Sequence, residues 1–285
     1  MPTAEIDGIT TRYEVIGSGP PLLMFAPGGF NATYGNWSQL GVYGSVKPVK
    51  HLAERYSCIV FDRRESGGSG GRVELITWAH YVAQGKGLLD HLGIERAHLM
   101  GGCQGCSPVT AFAVTHPGAV ASMILYWPAG GPRYRISCHS RFAQHISYVK
   151  EEGLEQVVAL TASGGAHFGQ DPRVGPWASV IRRDALFAGA FAHQSTDSYL
   201  ALVAGMAGAL FDRDTVAGAE PEDLLKLATP SLIVPGRDDS HATSAARYLE
   251  ECLHGADYWD VPVAGQTAGS VPPRLLEFLD AIPAP

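Results

Sequence analysis

The sequence predicts an α/β fold: a mainly parallel β-sheet with helices on both faces and a helical insertion. Three observations carry this. First, short apolar runs bounded by glycine, proline or aspartate recur at 21–27, 57–62, 97–102, 121–128, 230–235 and 256–262, and read as buried strands. Second, helix-length stretches separate them, near 46–55, 75–92, 104–116, 243–253 and 272–281, the last with an apolar stripe of Leu275, Leu276, Phe278 and Leu279. Strands joined by helix-length connections imply parallel pairing with both faces covered. Third, no strand pattern appears from about 129 to 229, where amphipathic helical patterns run over 138–152, 153–163 and 179–210.

Residues 3–16 predict an edge hairpin around Asp7-Gly8. The division that follows is a core of 1–128 and 230–285 with a helical lid at 129–229. The alternative is a second helical domain with no part in the chemistry. In either case both ends of the segment return to the same end of the sheet and cover it.

Composition narrows the function. The chain has 285 residues, 46% of them hydrophobic and 17% charged, enough for one large domain with a sizeable core. Its formal charge of −7 argues against nucleic acid as the main partner, because phosphate binding needs a basic surface. Residues 1–13 lack a basic start followed by an apolar run, and no apolar stretch is long enough to span a bilayer. The five cysteines, an odd and scattered set, do not form the framework of a secreted disulfide protein. The expectation is a cytoplasmic protein acting on a small molecule, without membrane association; nothing fixes the oligomeric state.

The strongest chemical signal is Gly101-Gly102-Cys103-Gln104-Gly105, between the strand at 97–102 and the helix at 104–116. A strained strand-to-helix turn of this form presents its central side chain as a nucleophile, and its glycines remove side chains that would clash. A helix N-terminus also favours a thiolate. The bland alternative for Cys103 is a small buried hydrophobe.

Here the chain resembles the α/β-hydrolase family over nearly its whole length. The resemblance implies that the loop Pro27-Gly28-Gly29-Phe30 supplies one oxyanion amide, from Gly29 or Phe30, and that Gln104 supplies the second. Gly28 and Trp127 are expected to line the substrate pocket. Asp62-Arg63-Arg64-Glu65-Ser66-Gly67-Gly68-Ser69 resembles a structural segment of the family, with Glu65 replacing a glycine. In Gly236-Arg237-Asp238-Asp239 the matching acid is Asp239, with Asp238 the runner-up.

One departure matters. Where the family places its catalytic histidine, this chain has Gln266, and an amide is no general base. Three readings follow. The cysteine needs no histidine there, because a thiolate forms more readily than an alkoxide. Another histidine substitutes, His241 on the facing loop or one of the lid's His139, His145, His167 and His193. Or Gln266 marks an engineered change or a protein that has lost hydrolysis. At the nucleophile alone the chain also resembles dienelactone hydrolases, which open small cyclic esters.

Other motifs are weaker. Cys103 and Cys106 form a C-x-x-C, for which burial of Cys106 under the first helical turn is the plainer account. No zinc-ligand spacing, P-loop or dinucleotide fingerprint is present, so no cofactor is expected. Arg133, Arg135, Arg141, Arg182 and Arg183 lie in the lid, and any that faces inward favours a carboxylate-bearing substrate. The leading reading is a cysteine-nucleophile enzyme acting on a carbonyl of a small ester, lactone, thioester or ketone, with Cys103, Asp239, His241 and Gln266 as its site. The alternatives are a non-hydrolytic lyase, isomerase or cyclase, and a binding protein with a dead site.

Overall fold

Each apolar run becomes a strand. The computed structural model describes residues 2–285, and its strands are β1 (Thr3–Ile6), β2 (Ile9–Ile16), β3 (Pro21–Phe25), β4 (Ser57–Phe61), β5 (Ala97–Gly102), β6 (Val120–Tyr126), β7 (Ser231–Val234) and β8 (Asp257–Tyr258). They form one sheet in the order β1-β2-β4-β3-β5-β6-β7-β8. The hairpin β1–β2 and the β2–β4 pair are antiparallel, and every other pair is parallel. Every residue of β5 and β6 is buried, as central parallel strands require.

Period-two alternation along β3 divides the core. Leu23 and Phe25 pack with Leu99, Phe112 and Met123 on one face, against the helices Trp78–His91, Cys106–Thr115 and Thr243–Cys252. Leu22 and Met24 pack with Met100, Ile124 and Leu232 on the other, against Val46, Leu52, Leu275 and Leu279. Burying each such side chain contributes about 1.5–3 kcal/mol.

The segment after β6 is a helical insertion of five helices, Pro132–Glu152, Leu154–Ser163, Ala178–Arg183, Ala185–Ala192 and Thr196–Leu210. Its residues Phe142, Val157, Trp177, Phe191, Tyr199 and Val203 meet in a cluster that also takes in Phe30, Ile76 and Tyr81 from outside the insertion. The single helix expected over 179–210 is three helices. Asp184 ends the first and caps the second by accepting from the backbone of Leu186 and Phe187, and Ser195 caps the third. The helix expected over 46–55 is broken at Lys47, which adopts a left-handed conformation.

The insertion is bonded to the core at several points. Trp177 Nε1 donates to the Arg72 carbonyl at 2.8 Å, and Arg183 donates to the carbonyls of Gly68 and Ser69. Ser107 Oγ, on the helix after β5, donates to the Val216 carbonyl at 2.6 Å. Among the described residues, no helix is long and apolar enough to cross a membrane.

Candidate active site

Packing dictates the turn that follows β5. A Cβ on Gly101 would lie 2.4 Å from the Gly105 carbonyl oxygen, and one on Gly105 would lie 2.3 Å from that of Phe25. One on Gly102 would press on the rings of Trp37 and Tyr43 at 2.9 Å. With these three positions bare, the chain turns sharply enough to hold Cys103 at φ +52°, a strained conformation for a non-glycine residue. Cys103 lies on a cavity beneath the insertion. Cys106 points the other way: its buried thiol donates to the Gly101 carbonyl at 3.2 Å, and burial, then the charge of Cys103, pushes its pKa well up. The C-x-x-C therefore presents one sulfur to the cavity.

Opposite Cys103 stands His241, on the loop that leaves β7. Asp238 Oδ1 accepts from the backbone of Ser240 at 2.8 Å and of His241 at 3.0 Å, bending the loop so that His241 Nδ1 meets the same oxygen at 2.8 Å. The loop is held to the segment after β6 by bonds from Gly130 N–H to the Ser240 carbonyl and from Ala242 N–H to the Gly130 carbonyl. Trp127, itself at φ +52°, packs its ring on the imidazole with centroids 5.3 Å apart. Gly236 permits this, because a Cβ there would lie 2.6 Å from His241 Cβ.

The other ring nitrogen, Nε2, is buried and has no nitrogen or oxygen partner among the described residues. Its neighbour is the Cys103 thiol. Burial raises the thiol pKa, but the hydrogen bond and charge of His241, helped by the backbone N–H groups of Gln104 and Gly28, outweigh it and hold the pKa below the ordinary thiol value. Burial likewise lowers the imidazole pKa, and Cys103 and Asp238 together bring it above the usual histidine value. Both shifts favour a thiolate–imidazolium pair.

The expected residues divide clearly. Cys103 and His241 meet. Asp239 does not join them: its side chain is 77% exposed and its carboxylate pairs with Arg133 at 2.7 Å, while the runner-up Asp238 holds the imidazole. Gln266 is buried, and its amide is committed elsewhere. Its Nε2 donates to the Pro235 carbonyl at 2.7 Å, and its Oε1 accepts from Trp127 Nε1 at 2.6 Å. It thus supports the start of the β7 loop and the ring behind His241. Trp127 stands behind the imidazole rather than in the cavity wall.

The amide pair that acts on the sulfur is Gln104 and Gly28. Gly29 and Phe30 line the cavity beside them. Arg63, buried and stacked 4.3 Å from the Tyr81 ring, donates to the carbonyls of Gly28 and Gly29 and, at 3.2 Å, to Gln104 Oε1. It joins both arms of the amide pair. Sequence patterns marked Arg63 only as part of a structural segment, because its role depends on contacts 34 and more residues away.

The cavity has a volume of about 260 Å³. Its floor is Cys103, Gln104 and the loop Gly28–Asn31, and Tyr134, Phe142 and Phe168 of the insertion form its roof. Of the lid histidines only His167 reaches it. His139 bonds the Phe211 carbonyl, buried His145 bonds Tyr199 and the Arg173 carbonyl, and His193 bonds the Gly189 carbonyl.

Residues 21–145 match the family described as the alpha/beta hydrolase fold. A solved enol-lactonase from Burkholderia xenovorans LB400 superposes over 98% of this chain and all of its own, with a TM-score of 0.64 at 18% identity. The chain has the α/β-hydrolase fold. In this fold the helices after β6 are the insertion, set over the turn that follows β5.

Two curated relatives are similar over part of the chain. A 2-hydroxy-6-oxo-6-phenylhexa-2,4-dienoate hydrolase from Comamonas testosteroni is 30% identical over 161 residues, 55% of this chain and 50% of that protein. The dihydrolipoyllysine-residue acetyltransferase component of the acetoin cleaving system of Cupriavidus necator is 30% identical over 127 residues, 45% of this chain and 32% of that protein. The chain thus spans half or less of the length of these relatives.

Proposed function

We propose that this α/β-hydrolase-fold protein hydrolyses a small-molecule ester, lactone, thioester or activated ketone with Cys103 as nucleophile, His241 as general base and acid, and Asp238 as the group that orients His241. The observation that carries this is the imidazole, with Nδ1 on Asp238 and Nε2 free to exchange a proton with the cavity sulfur. The similarity to a named dienoate hydrolase and to an enol-lactonase structure supports a small carbonyl substrate.

The steps balance with these groups alone. The Cys103 thiolate attacks the carbonyl carbon, and the C=O electron pair moves to oxygen, which the Gly28 and Gln104 amides stabilise. Collapse breaks the bond to the leaving group, which takes the proton from the His241 imidazolium. His241 then removes a proton from water, the hydroxide attacks the thioester, and a second tetrahedral species expels the Cys103 thiolate. Each oxyanion donor contributes roughly 3–4 kcal/mol to such a transition state. Asp238 keeps the base in one tautomer and stabilises its charged form.

With Gln266 occupied by Trp127 and Pro235, the lack of a histidine there is no argument for lost hydrolysis once His241 faces the sulfur. The test is mass spectrometry after mixing with an activated ester such as p-nitrophenyl acetate. An acyl adduct on the peptide containing Cys103, absent in Cys103→Ala, is expected together with turnover. An unmodified Cys103 and equal rates for both proteins would overturn the proposal.

A further inference from the structure

Five arginines of the insertion were candidates for substrate contact, and four are already engaged. Arg133 pairs with Asp239, Arg135 with the Phe211 carbonyl and Asp214, Arg182 with the carbonyls of Thr161, Gly164 and Ala166, and Arg183 with those of Gly68 and Ser69. Arg141 differs. It lines the cavity, is only half-buried, and forms no ion pair among the described residues; its polar neighbour is the Cys138 thiol. None of the residues lining the cavity is acidic.

His167 lines the same cavity. Burial, then the charges of Arg141 and Arg182, lowers its pKa and disfavours the charged ring. Its Nδ1 accepts from the Gly169 backbone N–H at 3.1 Å, which leaves the ring proton on Nε2 as a donor. The cavity thus contains one cation without an ion pair, the neutral donors His167 and Tyr134, and no carboxylate, among the rings of Phe30, Phe142, Phe168 and Phe211.

We infer that Arg141 and His167 form an anion subsite, and that the substrate attacked by Cys103 bears a carboxylate held there, with an apolar body between that carboxylate and the reacting carbonyl. This rests on the proposed role of Cys103. A carboxylate entering an aromatic-lined cavity loses water and needs a charged partner in return. A guanidinium supplies two parallel donors to its two oxygens.

Protection of Cys103 from alkylation tests this without turnover. The whole protein is labelled with iodoacetamide, with benzoate or its neutral analogue benzamide present, and the Cys103 peptide is quantified by mass spectrometry. Benzoate is expected to slow labelling at least tenfold at saturation, and benzamide less than twofold. Arg141→Gln should raise the half-protecting benzoate concentration at least tenfold, and His167→Ala roughly twofold to fivefold. If Arg141→Gln fails to fold, Arg141→Lys makes the same comparison, because it loses the paired donors and protection must weaken at least threefold. Equal protection by the two compounds, or protection unchanged in the arginine variants, overturns the subsite. The rate without protectant reads the thiol alone. Slow labelling with the pH dependence of an ordinary thiol would count against the nucleophile, a failure distinct from loss of benzoate selectivity.

Discussion

His241 Nδ1 lies 2.8 Å from Oδ1 of Asp238, three residues earlier in the same turn. Both groups come from one loop, and the adjacent Asp239 faces solvent and Arg133. Asp238→Asn should therefore lower kcat by roughly 10²–10⁴-fold, since the amide no longer stabilises the charged imidazole or fixes its tautomer. Asp239→Asn should change kcat less than about threefold, as expected for an exposed pair. Steady-state kinetics of both variants on one activated ester checks the contrast.

The thiol should titrate below the ordinary value of about 8.5. Burial opposes this and His241 drives it, so removing His241 leaves burial unopposed by its largest counterweight. In His241→Gln the inflection of the iodoacetamide rate should move up past the free-thiol value, and labelling at pH 6.5 should fall by roughly tenfold or more. An unmoved inflection would separate His241 from the sulfur.

Gln266 should matter for stability more than for the proton. Gln266→Leu leaves the Trp127 indole N–H and the Pro235 carbonyl without their partner, at a cost of about 1–3 kcal/mol. Denaturant unfolding reads that loss. Gln266→His should not raise turnover, because the side chain at that position is directed at Trp127 and Pro235.

Glu65 should make stability depend on pH. Burial raises its carboxyl pKa to about 7, only partly offset by Arg64, and its Oε2 has no hydrogen-bond partner among the described residues. The folded pKa is above the unfolded value of about 4.3, so the folded state holds the proton more tightly. That contribution is complete below about pH 4.3 and is lost as pH rises through about 7. Glu65→Gln should flatten this slope. The difference between its unfolding midpoint and that of the parent should shift in favour of the variant between pH 5 and pH 8.

What the sequence disclosed, and what it did not, follows from the range of the interactions. The elbow was readable because its glycines, cysteine and flanking elements lie within about 20 residues, although only Gly101 answers a clash inside the turn and Gly102 and Gly105 answer Trp37, Tyr43 and Phe25 from distant segments. The sheet was readable because buried parallel strands are continuous apolar runs. Choosing Asp238 over Asp239 was not possible from spacing alone. It depends on an aspartate-capped turn, in which the first carboxylate folds back on the backbone of Ser240 and His241 while the second points outward. Arg63, Gly28 and Gln266 were harder still, since their partners lie in distant segments. β8 is only Asp257–Tyr258, shorter than its apolar run suggested, with Asp260 and Pro262 just beyond it.

Placing Asp238 and His241 in a single turn has a geometric consequence. The separation of carboxylate and imidazole is set by the torsion angles of four consecutive residues, not by how well two remote loops dock. The stretch beyond β8, through Gln266, is left to serve as a brace beneath an indole ring.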